Sequence, residues 1–236
     1  MSHPKGKLIV IEGTDGSGKA TQTQLLFARL TGMGIPTASM SFPQYEHKSS
    51  GLIAEYLNGT YGRPEEVSPY AASLFYALDR FDASSAIRAI LREGRMMVLD
   101  RYVASNAGHQ GGKIKNGRER AEFIAWLYDT EYRILGVPKP DITLILHVPA
   151  AMGQKLVAKK QARLYIEGGK SHDVHEGDLE HLKDAEAAYL WLQHQFPKEH
   201  RIIPCVKDGV LLSPEEIHAN VWEEVAIIIG KKGENA

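Results

Sequence analysis

Apolar and polar positions along this chain fall into two alternating textures. Short, mostly apolar runs of strand length occur at Leu8–Glu12 (LIVIE), Thr37–Phe42, Met96–Asp100 (MMVLD), Asp141–Val148 (DITLILHV) and Arg201–Pro204. Between them lie longer stretches of helical character. Lys19–Gly32 places Leu25, Leu26 and Leu30 on one face, Ser49–Asn58 reads as a short helix, and Arg118–Leu135, Ala150–Lys160 and Asp178–Gln195 as further helices. Two starts are marked by capping chemistry. Ser68-Pro69 supplies an N-cap and a first-turn proline for a long helix toward Arg92, and Ser213-Pro214-Glu215-Glu216 matches a capping box for a last helix running to Ile229. Strands separated by helices imply βαβ units and a parallel sheet covered on both faces, so the expected class is α/β. No repeat or composition break divides residues 1–236, which are expected to form a single domain. Gln161–Gly177, with Gly168-Gly169 among charges and no period, is expected to be a mobile loop, and Gly230–Ala236 a frayed tail.

Composition narrows the classes rather than choosing one. With 43% hydrophobic and 24% charged residues the chain is globular, not disordered throughout. No apolar run approaches the roughly 20 residues that span a bilayer, and Met1–Gly6 lacks a signal peptide's apolar stretch. The lone Cys205 cannot form an internal disulfide or a cysteine-based zinc cluster, and reads as a small buried filler. A formal charge of −1 argues against a nucleic-acid or anionic-membrane partner. A cytoplasmic protein is expected.

Chemistry first shows at Gly13-Thr14-Asp15-Gly16-Ser17-Gly18-Lys19, directly after the first strand and before the first helix. This is the G-x-x-x-x-G-K phosphate-binding spacing in its strand–loop–helix setting. The glycines let backbone N–H groups curl toward an anion, the helix N-terminus adds its dipole, and Lys19 reaches the outer phosphates. A three-layer α/β/α fold of P-loop NTPase type, with about five parallel strands, follows. The residue after Lys19 is Ala20, with Thr21 next, so the hydroxyl that ligates Mg²⁺ in switch-type NTPases is missing. Nucleotide kinases depend on it less, because Mg²⁺ can be held by phosphates, water and a few carboxylates.

The third strand ends at the acid Asp100, followed by Arg101-Tyr102-Val103-Ala104-Ser105-Asn106-Ala107-Gly108-His109-Gln110-Gly111-Gly112, a very polar connection at the edge where open α/β sheets bind ligands. An acid beside an arginine suits a metal-bound water and a transferring phosphoryl group, although a surface ion pair is the plainer alternative. Taken in order, GTDGSGKATQ, FPQY, LFYALDR, DRYVASNAGHQGG and GVPKPD resemble bacterial thymidylate kinases over about Lys7 to Trp191. The resemblance implies a P-loop enzyme that moves the γ-phosphoryl of ATP to dTMP with Mg²⁺, as a homodimer. It implies that residues 13–21 bind ATP, with Lys19, Arg101 and Asp15 catalytic. It puts Asp15, Phe42, Pro43, Tyr76, Arg80, Arg101, Ser105, Asn106 and His109 around dTMP, with Asp15 toward the sugar 3′-hydroxyl. Tyr76 would stack on the base and Arg80 read it, Arg101 would bridge acceptor and donor phosphates, and His109 would lie near the deoxyribose. Asp15, Asp100 and Glu176 become the candidate Mg²⁺ side chains. Gln44 stands where the family often has arginine, and without the resemblance Tyr76 would be read as core.

The family supplies its transition-state cation from the P-loop or from a lid. Here the position after Asp15 is Gly16, so the resemblance implies the lid, with Arg163 as the cation; an arginine placed at position 16 is expected to serve the same oxygens. His172-Asp173-Val174-His175-Glu176 has neither H-E-x-x-H nor H-x-x-E-H order and is not read as zinc-binding. Two alternatives stay open. One is a kinase of another nucleoside monophosphate (UMP, CMP or AMP), disfavoured by Asp15 where adenylate-type loops carry proline; the other is a non-catalytic or regulatory P-loop ATPase.

Overall fold

The structure is a computed structural model and describes residues 6–63, 65–166 and 179–230, without the side chains of 160–166. Five strands, β1 (Leu8–Gly13), β2 (Thr37–Ser41), β3 (Met96–Asp100), β4 (Ile142–His147) and β5 (His200–Pro204), form one sheet in the order β2-β3-β1-β4-β5. Every pairing in it is parallel. β1 lies at the centre and is buried along its whole length. Because successive strand residues face opposite ways, Leu8 and Val10 enter one core and Ile9 and Ile11 the other.

The first core is roofed by α3 (Pro69–Arg92), α4 (Val103–Gly112), α5 (Gly117–Tyr128) and α7 (Leu179–Gln195). The second is roofed by α1 (Lys19–Gly32) and α8 (Pro214–Ile228), with Leu156 of α6 (Ala150–Ile166) packed at its side. That is the expected three-layer arrangement. A short α2 (Gly51–Leu57), preceded by a 3₁₀ turn over Lys48–Ser50, and an antiparallel pair, β6 (Val206–Lys207) and β7 (Val210–Leu211), complete it. Both capping signals hold. Ser68 Oγ accepts from Tyr70 N at 3.3 Å, and Ser213 and Glu216 exchange hydrogen bonds at 3.2 and 2.8 Å. Among the described residues no helix is long and apolar enough to cross a membrane.

Three expectations need correction. Helix α6 runs to Ile166, so the helix does not stop at Lys160 and residues 161–166 are not loop; 167–177 lie outside the described residues. The helix read as Arg118–Leu135 is α5 up to Tyr128 and then a π-helical segment, Asp129–Ile134. The polar stretch after Arg101 is itself helical, as α4. Its small residues are the reason: a Cβ at Gly108 would stand 2.5 Å from the Tyr189 ring, and one at Gly112 would stand 2.9 Å from the Asp184 backbone. Glycine lets α7 press against α4, and that packing rather than helix propensity sustains the helix.

Candidate active site

The carboxyl ends of β1, β2 and β3 open on one cavity of ≈ 1040 Å³. Asp15 through Gln22 line it, together with Ser41, Phe42, Pro43, Tyr76, Arg80 and Asn106, and Asp100, Arg101, Ser105 and His109 are also in the wall. Thus the residues the sequence singled out converge, apart from Gly13 and Thr14, which are outside the lining, and Arg163 and Glu176. The Arg163 side chain and the whole of Glu176 lie outside the described residues, as do His172 and His175.

In the P-loop, Gly16 and Gly18 have φ of 81° and 87°, a left-handed backbone open to glycine at little cost. A Cβ at Gly16 would also meet the Gly153 carbonyl of α6 at 2.5 Å. A side chain at position 16 would therefore be strained by its φ and pressed on the Gly153 carbonyl, so an arginine there requires α6 to shift. Lys19 is 7% exposed and its Nζ donates to Thr14 O at 2.9 Å. Burial, and then the nearby Arg101 cation, push it down to about 8. Thr14 Oγ1 and Ser17 Oγ are buried without a hydrogen-bond partner, as is Asp100 Oδ1.

Arg101 is bent into the cavity by an unusual backbone, φ 65°, strain of the kind that marks functional turns. Its guanidinium pairs with Asp15. Burial alone would raise the Asp15 carboxyl, but Arg101 and Lys19 hold it well below the usual range; the reciprocal attraction raises Arg101 despite its burial. Arg101 Nη1 also approaches His109 Nε2 at 3.3 Å, and His109 Nδ1 approaches His181 Nε2 at 3.2 Å. Burial drives His109 far below its ordinary range, so the ring is neutral. An arginine can only donate, so His109 Nε2 accepts and its proton resides on Nδ1, facing His181.

Two buried carboxylates complete the site, and sequence reasoning missed both. Glu12, at the end of β1, accepts from Tyr102 N (2.7 Å), Ser105 Oγ (2.7 Å) and Tyr189 Oη (3.0 Å), fixing the turn behind Arg101. Its position immediately before the loop glycine was the only available signal. Glu131, in the π-helical segment, takes two 2.6 Å hydrogen bonds from Arg80. Tyr76 lines the cavity edge-on to Tyr56, whereas Phe75 packs on Tyr56 and Tyr61 away from it. Gln44 does not replace the family's arginine in the cavity: its N–H donates to Asp79 and its side chain folds back on the same residue.

Comparison with known proteins points to one family. The thymidylate kinase family model matches residues 11–201. The chain belongs to the thymidylate kinase family. It is 34% identical over 190 residues to the thymidylate kinase of Mycobacterium tuberculosis, covering 80% of this chain and 86% of that one. It is 32% identical over 201 residues to that of Pelotomaculum thermopropionicum, covering 84% and 85%. The solved thymidylate kinase of Candida albicans superposes with a TM-score of 0.71 over 98% of this chain and 96% of that one, at 23% identity, which is a likeness of fold.

Mg²⁺ fits the residues present. Asp100 Oδ1 is a buried carboxylate oxygen with no hydrogen-bond partner, in the same cavity lining as Asp15, and such hard oxygens suit a cation whose other ligands are phosphates and water. Among the described residues no cluster of three or more acids, histidines or cysteines could hold the ion alone, and Ala20 offers no hydroxyl.

Proposed function

We propose that this chain transfers the γ-phosphoryl group of ATP to dTMP, forming dTDP and ADP, as a cytoplasmic enzyme. The observation that carries the reading is one cavity lined by the Lys19 loop, by Arg101 and by Arg80 and Asn106 together. A phosphate oxygen of dTMP attacks the γ-phosphorus while the bond to the β–γ bridging oxygen breaks and ADP departs. That oxygen is already ionised, so no general base is needed, and catalysis is positioning plus charge neutralisation. Residues 13–21 hold the ATP phosphates, Lys19 meets the outer ones, and Arg101, oriented by Asp15 and His109, spans donor and acceptor. Phe42, Pro43, Tyr76, Arg80, Ser105, Asn106 and His109 surround dTMP. Asp15 and Asp100, with Glu176, would hold Mg²⁺, which when bound neutralises phosphate charge.

Arg163 is the proposed lid cation, within a cover of about residues 161–177; the close Gly153 carbonyl supports it, because it disfavours a basic side chain at P-loop position 16. A homodimer is proposed as well. Tyr70, Leu74, Leu78 and Phe81 form an exposed row on the outer side of α3, the helix whose inner side carries Arg80.

The test is ADP release measured with dTMP, dUMP, UMP, CMP, AMP and GMP as acceptors. Strong preference for dTMP is expected. Preference for another monophosphate would make the chain a different nucleotide kinase, and ADP release indifferent to every acceptor would make it an ATPase.

A further inference from the structure

Asn106 is 2% exposed, and both hydrogens of its amide are committed: Nδ2 donates to Ser73 O at 3.0 Å and to Glu131 Oε1 at 3.3 Å. Neither acceptor can turn into a donor. Ser73 O is a backbone carbonyl, and the Glu131 carboxylate is gripped by Arg80 through Nε and Nη2 at 2.6 Å each. A flipped amide would set its oxygen against two oxygens. Its carbonyl oxygen is therefore the group left for a ligand, and Asn106 lines the cavity as an acceptor. Arg80, in the same wall, is a donor whatever the pH. The wall thus presents an acceptor beside a donor, the complement of a pyrimidine edge with an N3–H and a 4-oxo group. Cytosine presents the reverse at both atoms.

We propose that Glu131 is the positioning residue for base selection: by holding Arg80 and the Asn106 amide in one orientation, it makes the cavity select the thymine edge over the cytosine edge. This rests on the dTMP reading above. Glu131 is 0% exposed and lies behind both side chains, so it acts through them rather than on the substrate. The π-helical segment is what delivers it, since Asp129 and Arg133 of the same segment pair with each other at the surface. The pair is also costly to disturb, because an arginine 2% exposed would lose its counter-ion.

The experiment compares dTMP with 5-methyl-dCMP, which keeps the methyl group and the sugar phosphate and inverts only the N3 and C4 positions. Glu131→Gln presents one N–H₂ where an acceptor stood, which frees the Asn106 amide to turn over. The ratio of kcat/KM for dTMP to that for 5-methyl-dCMP is expected to fall at least ~10-fold, mainly through a higher KM for dTMP, as when a site loses its polar match to one substrate. Glu131→Asp, too short to reach Arg80 and Asn106 together, is expected to lower the ratio too, and supplies the reading if the Gln variant does not fold. A ratio unchanged within about twofold, with both substrates impaired alike, would overturn the proposal. So would failure of both variants to fold, which would leave Glu131 a counter-ion needed for folding alone. A wild-type chain inactive on dTMP would overturn the functional reading and this inference with it. Activity on dTMP with an unmoved ratio would overturn the inference only.

Discussion

Lys19 carries its ammonium into a nearly closed space between the Thr14 carbonyl and the Arg101 cation, which is why its affinity for protons drops to about 8. The sign of the consequence follows from linkage. Between pH 8 and the ordinary lysine value of 10.5 an unfolded chain holds a proton that the folded chain has lost. The cost of the buried charge is thus fully present below pH 8, and stability without nucleotide gains from this group as pH rises through that window. ATP phosphates reverse the balance by favouring the charged form. Binding of ATP near pH 8.5 (about half a unit above that value) is expected to take up a proton, read by calorimetry in buffers of different ionisation enthalpy. Lys19→Met should abolish the uptake and reduce kcat by at least ~10²-fold, the scale for losing one preorganised donor at a transferring group. Proton uptake persisting in the variant would assign it to another residue. Lys19 was legible in the loop spacing and Arg101 at the strand end beside an acid, whereas the role of Asp15 came from the family resemblance. Glu12 and Glu131 were not legible, because a single acid in a strand or a helix has no local signal; only partners 93 and 51 residues away give it a role.

Elements were legible where the pattern is local. Continuous apolar runs gave β1, β3 and β4 to within a residue, and Ser-Pro starts gave α3 and α8. Helix α4 was obscured because three of its residues, Gly108, Gly111 and Gly112, are poor helix formers that sit where neighbouring helices approach closely. The same kind of close approach joins α6 to the P-loop through Gly153 and Gly16, and it decides an engineering question. Gly16→Arg is expected to destabilise the fold by at least ~2 kcal/mol, from overpacking against backbone added to a left-handed φ, with the loss read as a lower urea midpoint. It should not rescue an Arg163→Ala variant, whose kcat is expected to be down by ~10²-fold at nearly unchanged stability. Full rescue would mean that α6 yields readily, and that the glycine contact does not constrain the loop.

At the scale of the molecule, α3 links the acceptor site to the outer surface. Its inner side buries Ser73, Ala77, Arg80 and Ser84, while Leu74, Leu78 and Phe81 stand 41%, 44% and 48% exposed on the other. From sequence alone these two sides could not be told apart, since both mix apolar and small residues at helical spacing; the sheet beneath had to identify the inner one. Tyr70 extends the outer row and makes edge contacts with Phe123 and Trp126, which broadens it toward α5. A contiguous apolar row of this kind suits a self-complementary contact, in which α3 meets α3 of a second copy about a twofold axis. Two glutamates in its middle would bring four like charges together at that axis. Leu78→Glu with Phe81→Glu is therefore expected to turn a dimer into a monomer by sedimentation at micromolar concentration. The KM for dTMP should rise in the monomer, because Tyr76 and Arg80 are carried by the helix that loses its support, while the Lys19 loop, held between β1 and α1, leaves the KM for ATP nearly unchanged. A wild-type chain that sediments as a monomer, or a double variant that remains dimeric, would place any self-association elsewhere on the surface.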